Sequence, residues 1–372
     1  MSLWSTLTTV TRVGLDLSRS ALAFGERVSP WPLSIVPRVL RLPVDFAADV
    51  VGHVAGSPVT HAPPPASGGR PPHDEPHVAT IAGARSDGPD DAPRYDRAFR
   101  ARQAPLHVRD VGSGPAIVLL HAFPLSGRMW EAQLESLSDR FRLVAPDLAG
   151  FGLSWAPEGT FSLAEQAHAV ELTLDDLRVD EMVLVGLSMG GYVAFPLLER
   201  LGDRVRGLVL ANTRATADDE AAAAARHRLA AEVEADGVDV AAQELLPRLL
   251  GRSTTRDRPD IVDRVHAMIL ESREPGVAGA LRAMAARPDS TAALARIACP
   301  VLVIGSEEDL IVTPDAARAM AARIRNARVE ILRGGHLSSL EAPDAFERAL
   351  AGFAQQTMDA PHAAPRARRA RA

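Results

Sequence analysis

The sequence has few of the residues on which several common kinds of protein depend. It contains no lysine and one cysteine, Cys299, in 372 residues. One cysteine excludes an intramolecular disulfide and argues against a cysteine-rich metal site. No run of about 18 uninterrupted apolar residues is present, so no transmembrane helix is predicted. The N-terminus also lacks a charged segment followed by an apolar one, the pattern of a secretory signal, so we expect a cytoplasmic protein.

The composition is that of a globular protein. Hydrophobic residues make up 47% of the chain and charged residues 24%, which is enough to bury one large core or two modest ones. The net charge is −6. Because nucleic-acid binding relies on a basic surface, we expect no nucleic acid among the partners.

Four regions differ in composition. Residues 1–53 begin amphipathically and are then broken up by prolines. Residues 54–94 are dense in Pro, Gly, Ser, His and Asp and predict a disordered linker. Residues 95–357 have the pattern of an α/β domain, and residues 358–372 read as a disordered basic tail. The first region suits either peripheral binding to a membrane or packing against the domain or a second copy, and the sequence leaves both open.

The α/β region alternates short apolar runs with longer amphipathic ones. Strands that are apolar throughout, such as residues 117–120 and 301–304, indicate burial on both faces and therefore a mainly parallel sheet flanked by helices. Residues 214–297 form an alanine-rich helical insertion, predicted to be a cap over the carboxyl edge of the sheet. The predicted strands are residues 106–110, 116–121, 142–145, 182–186, 207–211, 301–305 and 329–332.

A nucleophile elbow is predicted at residues 183–192, which read VLVGLSMGGY. Gly186 and Gly190 flank Ser188 at positions where a tight turn from strand to helix leaves no room for a Cβ. Gly191 gives the following helix space to approach the sheet. Ser188 is therefore the candidate nucleophile.

A serine nucleophile needs a base, and the base needs an orienting acid. His336 is the candidate base, since it follows the last predicted strand in a loop with two glycines. Asp309 is the candidate acid because it lies in the loop after the preceding strand, ahead of Thr313 and Pro314, which predict the start of a helix. Glu308 is the alternative acid.

Attack on an acyl carbonyl also needs donors for the oxyanion that develops. The backbone N–H groups of Met189 and Phe123 are the candidates, and His121 is interpreted as a brace for the loop that carries Phe123. Trp130 and Phe151 are predicted to line the substrate pocket together with cap residues. Such an apolar pocket would favour hydrophobic acyl or alcohol groups.

These motifs together resemble the α/β-hydrolase superfamily, and within it the esterase, enol-lactonase and cofactor-free haloperoxidase or perhydrolase branch. The resemblance implies Ser188 as nucleophile, Asp309 as acid, His336 as base, and Phe123 and Met189 as oxyanion donors. Branches with an aspartate nucleophile, the haloalkane dehalogenases and epoxide hydrolases, are disfavoured by the serine. Two departures are an Ala after His121, where many relatives have Gly, and the N-terminal hundred residues, which have no counterpart in the minimal fold. The motifs are residues 121–130, 147–154, 186–190, 305–314 and 335–336.

The sequence therefore predicts a serine hydrolase that cleaves a small carboxylic ester or lactone through an acyl-enzyme, without metal or organic cofactor. One alternative keeps the triad and uses hydrogen peroxide in place of water, which makes a peracid. Another is a binding protein that retains the fold without turnover, and a complete triad argues against it.

Overall fold

The structure, a computed structural model, describes residues 106–157 and 159–361. The predictions for residues 1–53 and 54–94, and those for residues 362–372 of the tail, lie outside this part of the chain. Within the described ranges, no helix is both long and apolar enough to cross a membrane.

A seven-stranded sheet forms the centre of the domain. Its strand order is β1-β3-β2-β4-β5-β6-β7; β1 runs antiparallel to β3, and all the other pairs are parallel. The prediction of a mainly parallel sheet is confirmed. The strands are β1 (Val108–Val111), β2 (Ala116–Leu120), β3 (Arg142–Pro146), β4 (Met182–Leu187), β5 (Val205–Ala211), β6 (Val301–Ser306) and β7 (Ala327–Leu332).

The central strands supply much of the core. Every residue of β2, β4 and β6 is buried, because helices cover both faces of the sheet and leave no solvated side. This explains why these strands read as unbroken apolar runs in the sequence. Each fully buried Leu, Ile or Val contributes roughly 1.5–3 kcal/mol to folding relative to an exposed one.

Helices connect the strands and also form the cap. The capping box of Ser162 and Glu165 begins α2, and Thr313 and Pro314 begin α10 as predicted. The helices are α1 (Glu131–Leu137), α2 (Leu163–Asp176), α3 (Met189–Leu201), α4 (Glu220–Asp236), α5 (Asp239–Leu249), α6 (Arg252–Asp257), α7 (Pro259–Leu270), α8 (Glu274–Ala285), α9 (Thr291–Leu294), α10 (Pro314–Ala321), α11 (Ser338–Glu341) and α12 (Pro343–Asp359).

The predicted helical insertion is present between β5 and β6. Helices α4 to α9 occupy it, and no described residue between these two strands belongs to a strand. Side chains from α4, α5 and α8 line the cavity beside Ser188. The insertion therefore covers the carboxyl edge of the sheet, where a ligand of this class of fold binds.

Three strand starts and the chain end differ by two residues from the predicted boundaries: β1 begins at residue 108 where 106 was predicted, and β5 at residue 205 where 207 was predicted. Strand β7 begins two residues earlier than predicted, because Arg328 and Glu330 interrupt the apolar signal on an edge strand with exposed residues. Helix α12 continues to Asp359, two residues into the segment predicted to be a disordered tail. Packing explains the extension, since Met358 is partly buried against the core.

Candidate active site

The predicted catalytic residues all follow the carboxyl ends of parallel strands. Ser188 directly follows β4, Asp309 lies three residues after β6, and His336 lies four residues after β7. Phe123 lies three residues after β2. Because parallel strands end at the same edge of the sheet, residues far apart in sequence meet there.

Ser188 has the strained conformation expected of a nucleophile elbow. Its φ of 55° and ψ of −113° lie in a region that residues other than glycine rarely occupy. A Cβ on Gly186 would lie 2.5 Å from the carbonyl oxygen of Gly190, and one on Gly190 would overlap the carbonyl oxygen of Leu120. A Cβ on Gly191 would lie 2.5 Å from Cγ2 of Thr213. Glycine at these positions allows the backbone segments to pack closely around Ser188.

The three candidate triad residues form one hydrogen-bonded chain. His336 Nε2 lies 2.7 Å from Ser188 Oγ, and His336 Nδ1 lies 2.8 Å and 3.0 Å from the two carboxylate oxygens of Asp309. An ionised carboxylate accepts hydrogen bonds only, so Nδ1 carries the hydrogen in this arrangement. Nε2 is then free to accept the hydroxyl hydrogen of Ser188. The alternative acid, Glu308, instead accepts the backbone N–H of Ser253 at 2.8 Å.

The Asp309 carboxylate is buried and fully engaged. One oxygen accepts the N–H groups of Ile311 and Val312 at 2.8 and 2.9 Å, and the other accepts the side-chain amide of Asn212 at 3.0 Å. Burial raises the pKa of Asp309, but the His336 charge and these hydrogen bonds together hold that pKa below its ordinary value. Asp309 therefore stays ionised at neutral pH, as an orienting acid must.

Asn212 is a functional residue that the sequence reading missed. It follows β5 with a φ of 45°, a conformation in which asparagine is enriched. Its side-chain oxygen accepts the Ser338 hydroxyl at 2.6 Å, while its amide donates to Ser306 Oγ at 2.9 Å and to Asp309. An asparagine at the carboxyl end of a predicted strand was the available signal.

The two predicted oxyanion donors have free N–H groups. Among the described residues, no hydrogen bond runs from the N–H of Phe123 or Met189 to another group. Met189 is the first residue of α3, where unpaired N–H groups and the helix dipole favour a negative charge. Phe123 lines the same cavity as Ser188 and His336.

His121 braces the loop that carries Phe123. Its Nε2 accepts the N–H of Leu148 at 2.9 Å, so its Nδ1 donates to the carbonyl oxygen of Ala122, also at 2.9 Å. Burial lowers the pKa of His121, which keeps the ring neutral. The ring thus ties the loop after β2 to the loop after β3 and has no hydrogen bond to the triad in the described part of the chain.

The loop of His336 is held from the cap side and from α11. The N–H of His336 donates to the carbonyl oxygen of Leu249, the last residue of α5, at 3.1 Å. The Glu341 carboxylate accepts the N–H groups of Gly335, Leu337 and Gly251 at 2.9, 3.0 and 2.8 Å. Both the cap and the short helix α11 therefore fix the position of the imidazole.

A cavity of about 230 Å³ opens beside Ser188 and His336. The predicted pocket residues Trp130 and Phe151 do not line it. Trp130 is fully buried against Phe346, with ring centroids 5.8 Å apart, and Phe151 stands edge-on behind Phe123 at 6.1 Å. Both aromatic rings complete the core beneath the site, so these two predictions are corrected. The lining is formed by Phe123, Ser188, Tyr192, Arg214, Ala222, Ala225, Arg226, Leu229, Glu244, Leu245, Arg248, Leu249, Leu281, Met284, Ile311 and His336.

The cavity is not the apolar pocket that the sequence predicted. Apolar side chains make up much of the wall, but Arg214, Arg226 and Arg248 face it together with one acidic residue, Glu244. The arginines were missed because their approach to the site depends on how the cap helices cross the sheet. No pattern within one helix records that crossing.

Within residues 106–157 and 159–361, no group of three or more His, Cys, Asp or Glu side chains is arranged to hold a metal ion. Cys299, the one thiol, lies outside the cavity at the start of β6, and burial raises its pKa to about 11. Ser188, His336 and Asp309 have the hydrogen-bonded arrangement that a nucleophile, a base and an orienting acid require.

Comparison with known proteins agrees with this geometry. The model of the α/β-hydrolase fold family matches residues 115–343. The chain is 28% identical to 3-oxoadipate enol-lactonase 2 of Acinetobacter baylyi over 63% of this chain and 87% of that protein. Among solved structures, it is similar to a thermophilic esterase from Thermogutta terrifontis, crystallised with malate bound (38% identity, TM-score 0.67, 68% of this chain and 93% of that one). It is also similar to the enol-lactonase of Burkholderia xenovorans LB400 (29% identity, TM-score 0.63, 67% and 95%). The resemblance inferred from the motifs is confirmed, and the chain belongs to the α/β-hydrolase fold family.

Proposed function

We propose that the protein is a serine hydrolase that cleaves a carboxylic ester or lactone through an acyl-enzyme. The observation that carries the proposal is the continuous chain from Ser188 Oγ through His336 to Asp309, with hydrogen-bond distances of 2.7 and 2.8 Å. The similarity to an esterase and to enol-lactonases supports hydrolysis as the reaction class.

Acylation begins when Ser188 Oγ attacks the carbonyl carbon and His336 Nε2 takes the hydroxyl proton. The carbonyl oxygen becomes negative and is stabilised by the N–H groups of Phe123 and Met189. Each such donor typically supplies roughly 3–4 kcal/mol in the transition state. His336 then returns the proton to the departing alkoxide as the bond between carbonyl carbon and oxygen breaks, which leaves the acyl group on Ser188.

Deacylation repeats the same steps with water. His336 takes a proton from a water molecule as its oxygen attacks the acyl carbonyl, and the same two N–H groups hold the oxyanion. His336 then protonates Ser188 Oγ, and the carboxylic acid leaves. Asp309 holds the imidazole in the required tautomer throughout and stabilises the imidazolium.

The test compares Ser188→Ala with the native protein on a chain-length series of 4-nitrophenyl esters and on several lactones. We expect kcat/KM to fall by about 10⁴-fold or more, because the nucleophile is lost. Ser138→Ala, at the end of α1, is the matched control and should retain native turnover. Mass spectrometry of protein mixed rapidly with substrate should find the acyl group on Ser188.

Two results would overturn the proposal: native-like turnover by Ser188→Ala, or no turnover of any ester or lactone by the native protein. Adding hydrogen peroxide to the assay and measuring peracid tests the alternative reaction. If peracid forms faster than the carboxylic acid, hydrogen peroxide and not water is the preferred acyl acceptor.

A further inference from the structure

The cavity beside Ser188 has more positive than negative charge. Arg214 lies just after β5, Arg226 on α4 and Arg248 on α5, so three separate elements each contribute an arginine to the lining of one cavity. Glu244 is the one acidic side chain among its lining residues. A purely apolar ester would leave this positive charge without a partner when it filled the cavity, which is energetically unfavourable.

Two of these arginines belong to a buried cluster centred on Asp218. The Asp218 carboxylate accepts Arg214 Nη2 at 2.5 Å, Arg226 Nε at 2.6 Å and Arg287 Nη2 at 3.0 Å. Burial raises the pKa of Asp218, but the hydrogen bond of Arg287 and the charge of Arg226 are among the effects that lower it to about 2. Asp218 therefore carries one negative charge at neutral pH against three positive charges.

The same cluster reaches the catalytic helix. The Arg287 guanidinium lies 4.2 Å from the centre of the Tyr192 ring, and Tyr192 lies on α3, which begins directly after Ser188. Tyr192 and Arg214 both line the Ser188 cavity. The cluster therefore borders the cavity through Arg214 and Arg226, whereas Asp218 and Arg287 do not line it.

Arg248 adds a further positive charge to the cavity. No carboxylate of the described residues forms an ion pair with it. Its neighbour Glu244 lies 3.9 Å from Arg228 instead. Arg248 thus faces the cavity without an acidic partner in this part of the chain.

We propose that the ester or lactone cleaved at Ser188 carries a carboxylate, which the cavity arginines Arg214, Arg226 and Arg248 bind. The inference rests on the proposed function, because it names the substrate class of that same site. A substrate carboxylate would supply the missing counter-charge, and a guanidinium presents N–H groups in the planar fork that matches a carboxylate.

The rest of the wall fits such a substrate. Leu229, Leu245 and Met284 add apolar surface to the same lining, which suits a short methylene chain. At about 230 Å³, the cavity is below the usual range of roughly 300–1,000 Å³ for drug-sized ligands. A half-ester of a short dicarboxylic acid, or a lactone with a carboxylate side chain, meets both conditions.

The experiment uses matched pairs that differ only in charge. Phenyl hydrogen glutarate and phenyl hydrogen adipate are compared with the corresponding phenyl methyl diesters, and phenol release is followed after subtraction of the uncatalysed rate. We expect the native protein to favour the half-esters in kcat/KM by roughly 10- to 100-fold, the range typical of a hydrogen bond to a charged group.

Arg248→Gln is the decisive variant, because Arg248 forms no ion pair with any residue that the structure describes, and its loss leaves the bonds of the Asp218 cluster in place. We expect the ratio of kcat/KM for half-ester over diester to fall about tenfold, mainly through KM, and Arg248→Lys to recover part of it. Arg318→Gln is the matched control: Arg318 lies on α10, is mostly exposed, pairs with Asp315 and does not line the cavity. It should keep the native ratio.

A binding measurement separates this inference from the proposed function. Titration calorimetry with the Ser188→Ala protein should show tighter binding of the half-ester than of the diester, and weaker half-ester binding as salt rises. Turnover that depends on Ser188 without preference for the half-ester would overturn the inference and leave the hydrolase intact. If the native protein cleaves no ester or lactone of either series, the hydrolase proposal fails, and equal binding of the half-ester and the diester would then overturn the charge preference as well.

Discussion

At the scale of single residues, the polar groups of the candidate triad meet at the sheet edge, while the aromatic rings of Trp130 and Phe151 are buried in the core. Ser188, Asp309 and His336 each follow a strand with its own apolar signature, so their meeting at one sheet edge followed from the fold class. Trp130 and Phe151 were placed in the pocket because they occur in loops near the site. Their rings turn into the core instead, and the direction of a side chain in a loop is set by tertiary packing that sequence spacing does not record.

Asn212 tests the role of a residue that acts only through another. We expect Asn212→Ala to lower kcat about tenfold with little change in KM, because Asp309 loses a donor and its hold on His336 loosens. Stability should fall by about 1–3 kcal/mol, since buried polar atoms of Asp309 and Ser338 lose their partner. Ester kinetics and urea unfolding measure the two effects.

Asn326→Ala is the control for that measurement, because Asn326 is an exposed turn residue at the start of β7. A loss of stability in Asn212→Ala with native kcat would assign Asn212 a purely structural part. A rise in KM with native kcat would place it in substrate binding instead.

At the scale of elements, the sequence predicted the strands better than their contacts with helices. Apolar runs located β2, β4 and β6 to within a residue or two, since burial on both faces leaves a clear signal. The approach of α3 to the sheet was indicated only by the glycines of the elbow, and the sequence did not identify Leu120 of β2 as the backbone that meets Gly190. The cap helices were predicted as a group, yet the arginines they deliver to the cavity were not.

Substitution of Gly190 tests the close contact between α3 and β2, and substitution of Gly352, where a Cβ has open space, provides the comparison. Gly190→Ala should cost about 2–3 kcal/mol or more and reduce turnover, because its Cβ would overlap the Leu120 carbonyl and neither backbone has space to shift. Gly352→Ala, in α12, meets nothing within 4 Å and should stabilise the protein by about 0.5–1 kcal/mol. Thermal and urea unfolding report both, and native stability in Gly190→Ala would show that α3 stands further from β2.

At the scale of the whole molecule, the buried carboxylate of Asp218 makes the free energy of unfolding depend on pH. The pKa of Asp218 is about 2 in the folded protein, against about 3.9 in an unfolded chain. Between these values the unfolded chain binds more protons, so the free energy of unfolding rises with pH across this window. The stabilisation from Asp218 is complete above about pH 4 and is lost as the pH falls toward 2.

We therefore expect Asp218→Asn to be less stable than the native protein by about 3 kcal/mol or more at pH 7, because three arginines lose their shared partner. The difference in free energy of unfolding between the two proteins should narrow as the pH falls from about 4 to 2. Urea unfolding at a series of pH values measures it. Asp315→Asn, an exposed carboxylate on α10, should follow the native curve, and a gap for Asp218→Asn that is constant with pH would contradict the prediction.

The hydrogen bond from the His336 N–H to the Leu249 carbonyl gives the cap a second part in the chemistry. Helix α5 forms a wall of the substrate cavity and, at its last residue, holds the backbone of the proposed base. A swing of α5 away from the sheet would break that bond at the moment the cavity widened. In such an open arrangement the backbone of His336 would lack this support, so an open cavity and a fully held base would not occur together.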